Sequence, residues 1–210
     1  QYLDRAFDFP GAGVFQYITF RSALAFIMSL GFATIYGKKI INFLRNQQVG
    51  ETVRELGLEG QKQKAGTPTM GGLIILLGII IPTLLFARLD NIYVLLLLFT
   101  TVGMGAIGFL DDYIKVFKKN KEGLAGKFKI VGQVGVGLIV ALTLFFHEDV
   151  VIREYFSAND FVDISSLKTT IPFLKHNELD YCKFFGFLGD AGCYLYIPIV
   201  IVIITAVSNG

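Results

Sequence analysis

Long apolar runs decide what this chain can be. Five of them, at about Tyr17–Tyr36, Gly71–Ala87, Ile92–Leu110, Ile130–His147 and Gly192–Val207, are nearly free of charge. Each is roughly long enough to cross a ~30 Å hydrocarbon core at ~1.5 Å per residue in a helix. Composition agrees: 53% of residues are hydrophobic, only 17% are charged and there is no Trp, more apolar than a soluble domain of this length. The in–out alternation of a membrane β-barrel is absent, so the backbone polar groups must be satisfied within helices. The first run lacks a basic leader and a small-residue cleavage site, so it reads as a span and not as a signal peptide. The expected fold is an all-α polytopic membrane protein, a single transmembrane domain over residues 1–210 with five spans.

Charge gives the orientation. The connection over 37–70 carries Lys38, Lys39, Arg45, Arg54, Lys62 and Lys64, and the connection over 111–129 carries Lys115, Lys118, Lys119, Lys121, Lys127 and Lys129. Arg88 is the one cation between the second and third runs, and residues 148–191 hold four Lys/Arg against eight Asp/Glu. Lys and Arg accumulate on the cytoplasmic side. The N-terminus is therefore expected outside, the two basic loops and the end of the fifth span inside, and 148–191 outside. That outer segment holds the β-favouring stretch Phe161-Val162-Asp163-Ile164 and a Thr-Thr-Ile-Pro turn region, which together suggest a short hairpin. Cys182 and Cys193 lie in or beside it. A disulfide is open to them in an oxidising compartment, but the sequence does not favour one, and their spacing is no metal motif.

Three motifs compete for a functional reading. Gly103-Met104-Gly105-Ala106-Ile107-Gly108 satisfies G-x-G-x-x-G, yet a dinucleotide fingerprint follows a strand and opens a helix. Here the glycines fall inside an apolar run, where small residues let helices approach closely. Lys64-Ala65-Gly66-Thr67-Pro68-Thr69-Met70-Gly71-Gly72 opens the second run. It reads either as a helix entry with Thr67 or Thr69 as N-cap, or as an anion site made by free N–H groups and Lys64.

The third motif is Asp111-Asp112, at the inner edge of the third run. Charge at a membrane edge is costly and marks a functional suspect, although a solvated interfacial position is the bland alternative. Successive helical residues diverge by ~100°, so on an intact helix only one carboxylate can face a cleft; if the helix ends there, both can converge. Lys115 lies one turn on, within reach of either. Two carboxylates among six lysines suit magnesium and phosphates, the hard cation taking oxygen ligands and the lysines acting as point charges. Positive-inside topology and anionic lipid account for several of those lysines.

These residues resemble the phospho-N-acetylmuramoyl-pentapeptide transferases, translocase I of peptidoglycan synthesis, within the polyprenyl-phosphate N-acetylhexosamine-1-phosphate transferases. The resemblance rests on Tyr17-Ile18-Thr19-Phe20-Arg21, Lys64 through Gly72, Gly108 through Lys115, Gly123-Leu124 and Lys127-Phe128-Lys129. It implies a ten-helix fold, of which this chain is about the N-terminal 60%, with a cytoplasmic cleft in the bacterial inner membrane. The reaction it implies moves phospho-MurNAc-pentapeptide from UDP-MurNAc-pentapeptide to undecaprenyl phosphate with Mg2+, giving lipid I and UMP. The lipid bilayer is then a partner, a homodimer is admissible, and nucleic acid is not expected.

By position, Asp111 resembles the family's candidate base and Asp112 its partner near magnesium and diphosphate, hence a metal ligand. Lys64 and Thr67 fall in the nucleotide-binding region, Lys115 and Lys129 match cleft lysines, and Asn209 matches the first Asn of a loop continuing as Asn-Leu-Thr-Asp-Gly. A third essential Asp and a His-rich loop are expected past Gly210, so the 210 residues alone are expected to be inactive. Direct attack by the lipid phosphate is preferred over an Asp-linked intermediate, because that oxygen is already a competent nucleophile. The alternatives are a GlcNAc-1-phosphate transferase, a truncated non-catalytic subunit, and a transporter. A transporter would place charges at mid-span.

Overall fold

The computed structural model describes residues 12–47, 70–118, 120, 122–155, 160–165, 167–170 and 178–209. A 3₁₀ turn at Ala12–Gln16 leads into α1, Ile18–Gln47, followed by α2, Gly72–Phe86, α3, Ile92–Phe117, and α4, Gly126–Phe146. Two antiparallel hairpins come next, β1, Ile152–Tyr155, with β2, Phe161–Ile164, and β3, Lys168–Thr170, with β4, Glu178–Asp180. The four-residue α5, Tyr181–Phe184, and a 3₁₀ segment, Gly186–Leu195, lead into α6, Tyr196–Asn209.

The protein is mostly helical. Four stretches, Ile18–Asn46, Ile92–Phe117, Gly126–Phe146 and Ala191–Asn209, are long and apolar enough to cross a membrane. The second expected span is shorter: α2 has 15 residues with Pro82 inside it, a rise of about 22 Å. Five hydroxyls within the apolar helices are satisfied locally. Ser22, Thr34, Thr83, Thr100 and Thr143 each donate to the carbonyl four residues back, at 2.7–2.9 Å, which removes an uncompensated donor from an apolar setting.

Helices outlast their apolar runs. α1 continues from Tyr36 through Lys38, Lys39 and Arg45 to Gln47, and α3 continues past Leu110 to Phe117. Residues 126–129 are already α4. The basic connections expected as loops are therefore partly helical, because Lys and Arg are good helix formers and complement the negative C-terminal end of the dipole. At its other end α3 starts at Asn91, whose side chain accepts the N–H groups of Tyr93 and Val94.

The chain divides into two units, Gln1–Val94 with Gly105–Ala125, and Leu95–Met104 with Gly126–Gly210. In the first, α1 packs on α2, and a Cβ on Gly105 would lie 2.7 Å from the Leu76 side chain. In the second, a Cβ on Gly103 would lie 2.9 Å from Val136. Two of the three glycines of the G-x-G-x-x-G match therefore serve close helix contact, while a Cβ on Gly108 would meet nothing within 4 Å. The second unit is built on the antiparallel pair α4 and α6. Phe145 stacks on Tyr194 with ring centroids 5.2 Å apart, a Cβ on Gly137 would meet the Ile201 backbone at 3.3 Å, and Gln133 meets Asn209.

Residues 148–191, expected to carry one hairpin, show two among the described residues. β2 covers the predicted Phe161–Ile164, whereas Thr169 and Thr170, expected in a turn, belong to β3. Register puts Arg153 opposite Asp163, and the guanidinium binds both carboxylate oxygens at 2.7 and 2.8 Å. Cys182 and Cys193 are bonded as a disulfide between α5 and the 3₁₀ segment, against the sequence expectation. The bond closes a small substructure in which Tyr181 is buried, hydrogen-bonds Thr169 through its hydroxyl at 2.8 Å and packs edge-on against Tyr196.

Candidate functional site

The last two turns of α3 carry the acidic pair. Because the helix is intact through Phe117, the two carboxylates diverge and do not converge on one point. Asp111 turns inward and is only 7% exposed; Asp112 is half-buried. Lys115 chooses Asp111, with Nζ 2.7 Å from Oδ2. Acid four residues before base is the favourable order for a helical pair. Phe109, Tyr113 and Phe117 stack along another line of the same helix, at 6.3 and 4.8 Å.

The chain after α3 folds back onto Asp111. Asn120 accepts the Glu122 N–H on its side chain at 3.1 Å and the Gly123 N–H on its carbonyl at 3.1 Å, a turn that Asn favours. Gly123 then adopts φ +72°, and the Leu124 N–H reaches Asp111 Oδ1 at 2.9 Å. A Cβ on Gly123 would sit 2.5 Å from that oxygen and 2.5 Å from Lys115 Cε. Glycine is therefore required twice, for its backbone angle and for the space it leaves. Each oxygen of the Asp111 carboxylate has a partner, so Asp111 anchors the α3–α4 turn as well as being a reactive-group candidate.

The other expected site residues are distributed as follows. Lys64 and Thr67 lie outside the described residues. Their segment resumes at Met70, which is buried with φ +71°, an uncommon backbone for a residue with a side chain. α2 then begins with Gly71 as N-cap and no side-chain cap bond from it; Thr69, like Thr67, lies outside the described residues. Lys129 is half-buried in the first turn of α4. Asn209 ends α6, its carboxamide joined to that of Gln133. Asp111, Asp112 and Lys115 belong to the first unit, and Lys129 and Asn209 to the second.

Among the described residues no three His, Cys, Asp or Glu side chains cluster as a metal site. Hard oxygen donors of the kind a divalent cation takes are offered by Asp112 beside Asp111. Two contributors escape a reading of residue types: the backbone N–H of Leu124, which carries no side-chain signal, and Gln133, a lone polar residue in an apolar run.

Residues 64–76 match the phospho-N-acetylmuramoyl-pentapeptide-transferase signature 1. Three curated relatives carry the name phospho-N-acetylmuramoyl-pentapeptide-transferase. One, from Flavobacterium psychrophilum, is 61% identical over 227 residues, covering 100% of this chain and 56% of the relative. A second, from Flavobacterium johnsoniae, is 56% identical with the same coverage. A third, from Parabacteroides distasonis, is 56% identical over 100% of this chain and 53% of its own length. The chain thus spans about half the length of the curated relatives it matches.

Proposed function

Because this chain belongs to the phospho-N-acetylmuramoyl-pentapeptide-transferase family, we propose that it forms part of an enzyme that transfers phospho-MurNAc-pentapeptide from UDP-MurNAc-pentapeptide to undecaprenyl phosphate. The observation that carries the reading is the transferase signature over 64–76, whose last residues are the first turn of α2. In the transfer, an oxygen of the lipid phosphate bonds to the sugar-linked phosphorus of the donor. The bond from that phosphorus to the UMP oxygen breaks, and a new diphosphate, lipid I, results.

Catalysis of this kind is mostly positioning and charge neutralisation. Lys64, Lys115 and Lys129 supply point charges for phosphate oxygens, and Thr67 and Asn209 supply neutral polar contacts. Asp111 takes the proton of the lipid phosphate on Oδ2, the oxygen that Lys115 covers, as the lysine moves onto phosphate charge. Asp112 would hold Mg2+, a hard cation that takes carboxylate oxygens and would supply charge neutralisation at the diphosphate.

The reaction face is the cytoplasmic side of the bacterial inner membrane. Twelve Lys and Arg in the connections 37–70 and 111–129 support that orientation, since basic loops stay inside. The bonded Cys182–Cys193 pair supports it independently, because disulfides persist in oxidising compartments.

The test uses the full-length protein in detergent with undecaprenyl phosphate and Mg2+. UMP release is expected with UDP-MurNAc-pentapeptide and not with UDP-GlcNAc, and chelation is expected to stop it. Preference for UDP-GlcNAc would move the protein to the sister activity, and no release with either donor would sink the proposal.

A further inference from the structure

Gln133 is the most buried polar side chain among the described residues, 4% exposed within an apolar stretch of α4. An amide there is costly unless paired, and its partner lies 76 residues away on α6. Gln133 Nε2 donates to Asn209 Oδ1 at 3.3 Å, and Asn209 Nδ2 donates to Gln133 Oε1 at 2.6 Å. Asn209 Nδ2 also donates to the Thr205 carbonyl at 2.8 Å. A carbonyl can only accept, so the atom facing Thr205 is the nitrogen, and the orientation of the Asn209 amide is fixed by chemistry. Both of its N–H groups are engaged. Its oxygen accepts once from Gln133 and keeps a second lone pair. Asn209 itself is exposed at the helix end.

We infer that Gln133 is a positioning residue: from inside the α4–α6 pair it sets which end of the exposed Asn209 carboxamide meets substrate. The end presented is the oxygen, an acceptor. The matching group on the ligand is a hydrogen-bond donor, a hydroxyl or N–H of the UDP-linked substrate, and not a phosphate oxygen. Without Gln133 only the Thr205 carbonyl holds the amide, and the acceptor is held less firmly toward substrate. The inference rests on the proposed transferase reading, in which Asn209 contacts substrate.

The experiment is a double-mutant cycle in the full-length protein, with kcat and KM for UDP-MurNAc-pentapeptide and thermal midpoints measured for each variant. Gln133→Met keeps the side-chain length and removes both hydrogen bonds. It is expected to raise KM on the order of tenfold, the scale of one lost polar contact, with a smaller change in kcat. In an Asn209→Ala background the same substitution is expected to leave KM unmoved. Gln133→Leu serves as a second variant should Gln133→Met misfold. An equal loss in both backgrounds, an unchanged KM in Gln133→Met, or additive thermal midpoints overturns the inference. Failure of the wild-type protein to release UMP overturns the transferase reading instead, and the thermal cycle still reports on the amide pair by itself.

Discussion

Asp111 and Leu124 are joined by a hydrogen bond of 2.9 Å from the leucine N–H to the aspartate Oδ1. The contact spans thirteen residues and makes one buried carboxylate responsible for the shape of the turn between two membrane-type helices. The same carboxylate is held by Lys115 on its other oxygen, so a change at any of the three positions is felt at the others.

Gly123 is the first place to test this. Gly123→Ala forces a Cβ to 2.5 Å from Asp111 Oδ1 and adds the left-handed backbone penalty of about 1–2 kcal/mol. A lower thermal midpoint of the purified protein is expected, with a larger drop for Gly123→Val. A wild-type midpoint for Gly123→Val would mean the turn is not held as described.

Substitutions of Asp111 separate its two contacts. Asp111→Asn keeps an acceptor for the Leu124 N–H and loses the ion pair with the 40% exposed Lys115 side chain, a partly exposed pair worth about 0–1 kcal/mol. Asp111→Ala leaves the N–H without its partner, about 1–3 kcal/mol. Denaturation should therefore rank wild type, Asn and Ala in falling order. If Asn and Ala prove equally damaging, the Leu124 bond contributes nothing.

The disulfide is open to a direct measurement. Cys182 and Cys193 are 11 residues apart, and closing a loop of about that length stabilises by roughly 2–3 kcal/mol. Cys182→Ser and Cys193→Ser should lower the thermal midpoint by the same amount, and the double variant by no more than either. A membrane-impermeant thiol reagent should label intact cells only after reduction. Labelling without reduction would contradict the bond, and labelling only after membrane lysis would contradict the orientation.

The first hairpin gives a pH signature. The Arg153 guanidinium, hydrogen-bonded to Asp163, holds its carboxyl below the usual carboxylate range. A carboxyl lowered on folding stabilises the folded state above its unfolded pKa of ~3.9, and that contribution is lost as pH falls through the lower folded value. Carbon-detected NMR of labelled aspartate should show Asp163 titrating below the ordinary range, and Arg153→Gln should return it there. Titration at or above that range in the wild-type protein would refute the pairing.

The apolar runs were legible because a bilayer imposes a length on them, and four of the five correspond to long apolar helices. Their ends were less legible. Lys38, Lys39 and Lys115 mark the edge of hydrocarbon but are sound helix residues, so the helix outlasts the run. Spacing put Lys115 within reach of Asp111 or Asp112 without choosing between them; the completion of the Asp111 site by Leu124 carried no signal at all, since a backbone donor has no residue type. Cys182 and Cys193 could not be paired from spacing alone, because the bond depends on how α5 and the 3₁₀ segment fold back on each other. Gln133 carried the weakest signal, its partner being 76 residues away.

The α4–α6 pair has a mechanical consequence. A stack of Phe145 on Tyr194, in the 3₁₀ segment that runs into α6, a glycine seat at the middle and an amide pair at the other end fix these two antiparallel helices in a single register. A ratchet of one helical turn, about 5.4 Å, would break all three at once, and the sulfur bridge ahead of α6 shortens the slack that such a slide needs. These two helices therefore tilt or roll as one plate and do not piston past each other.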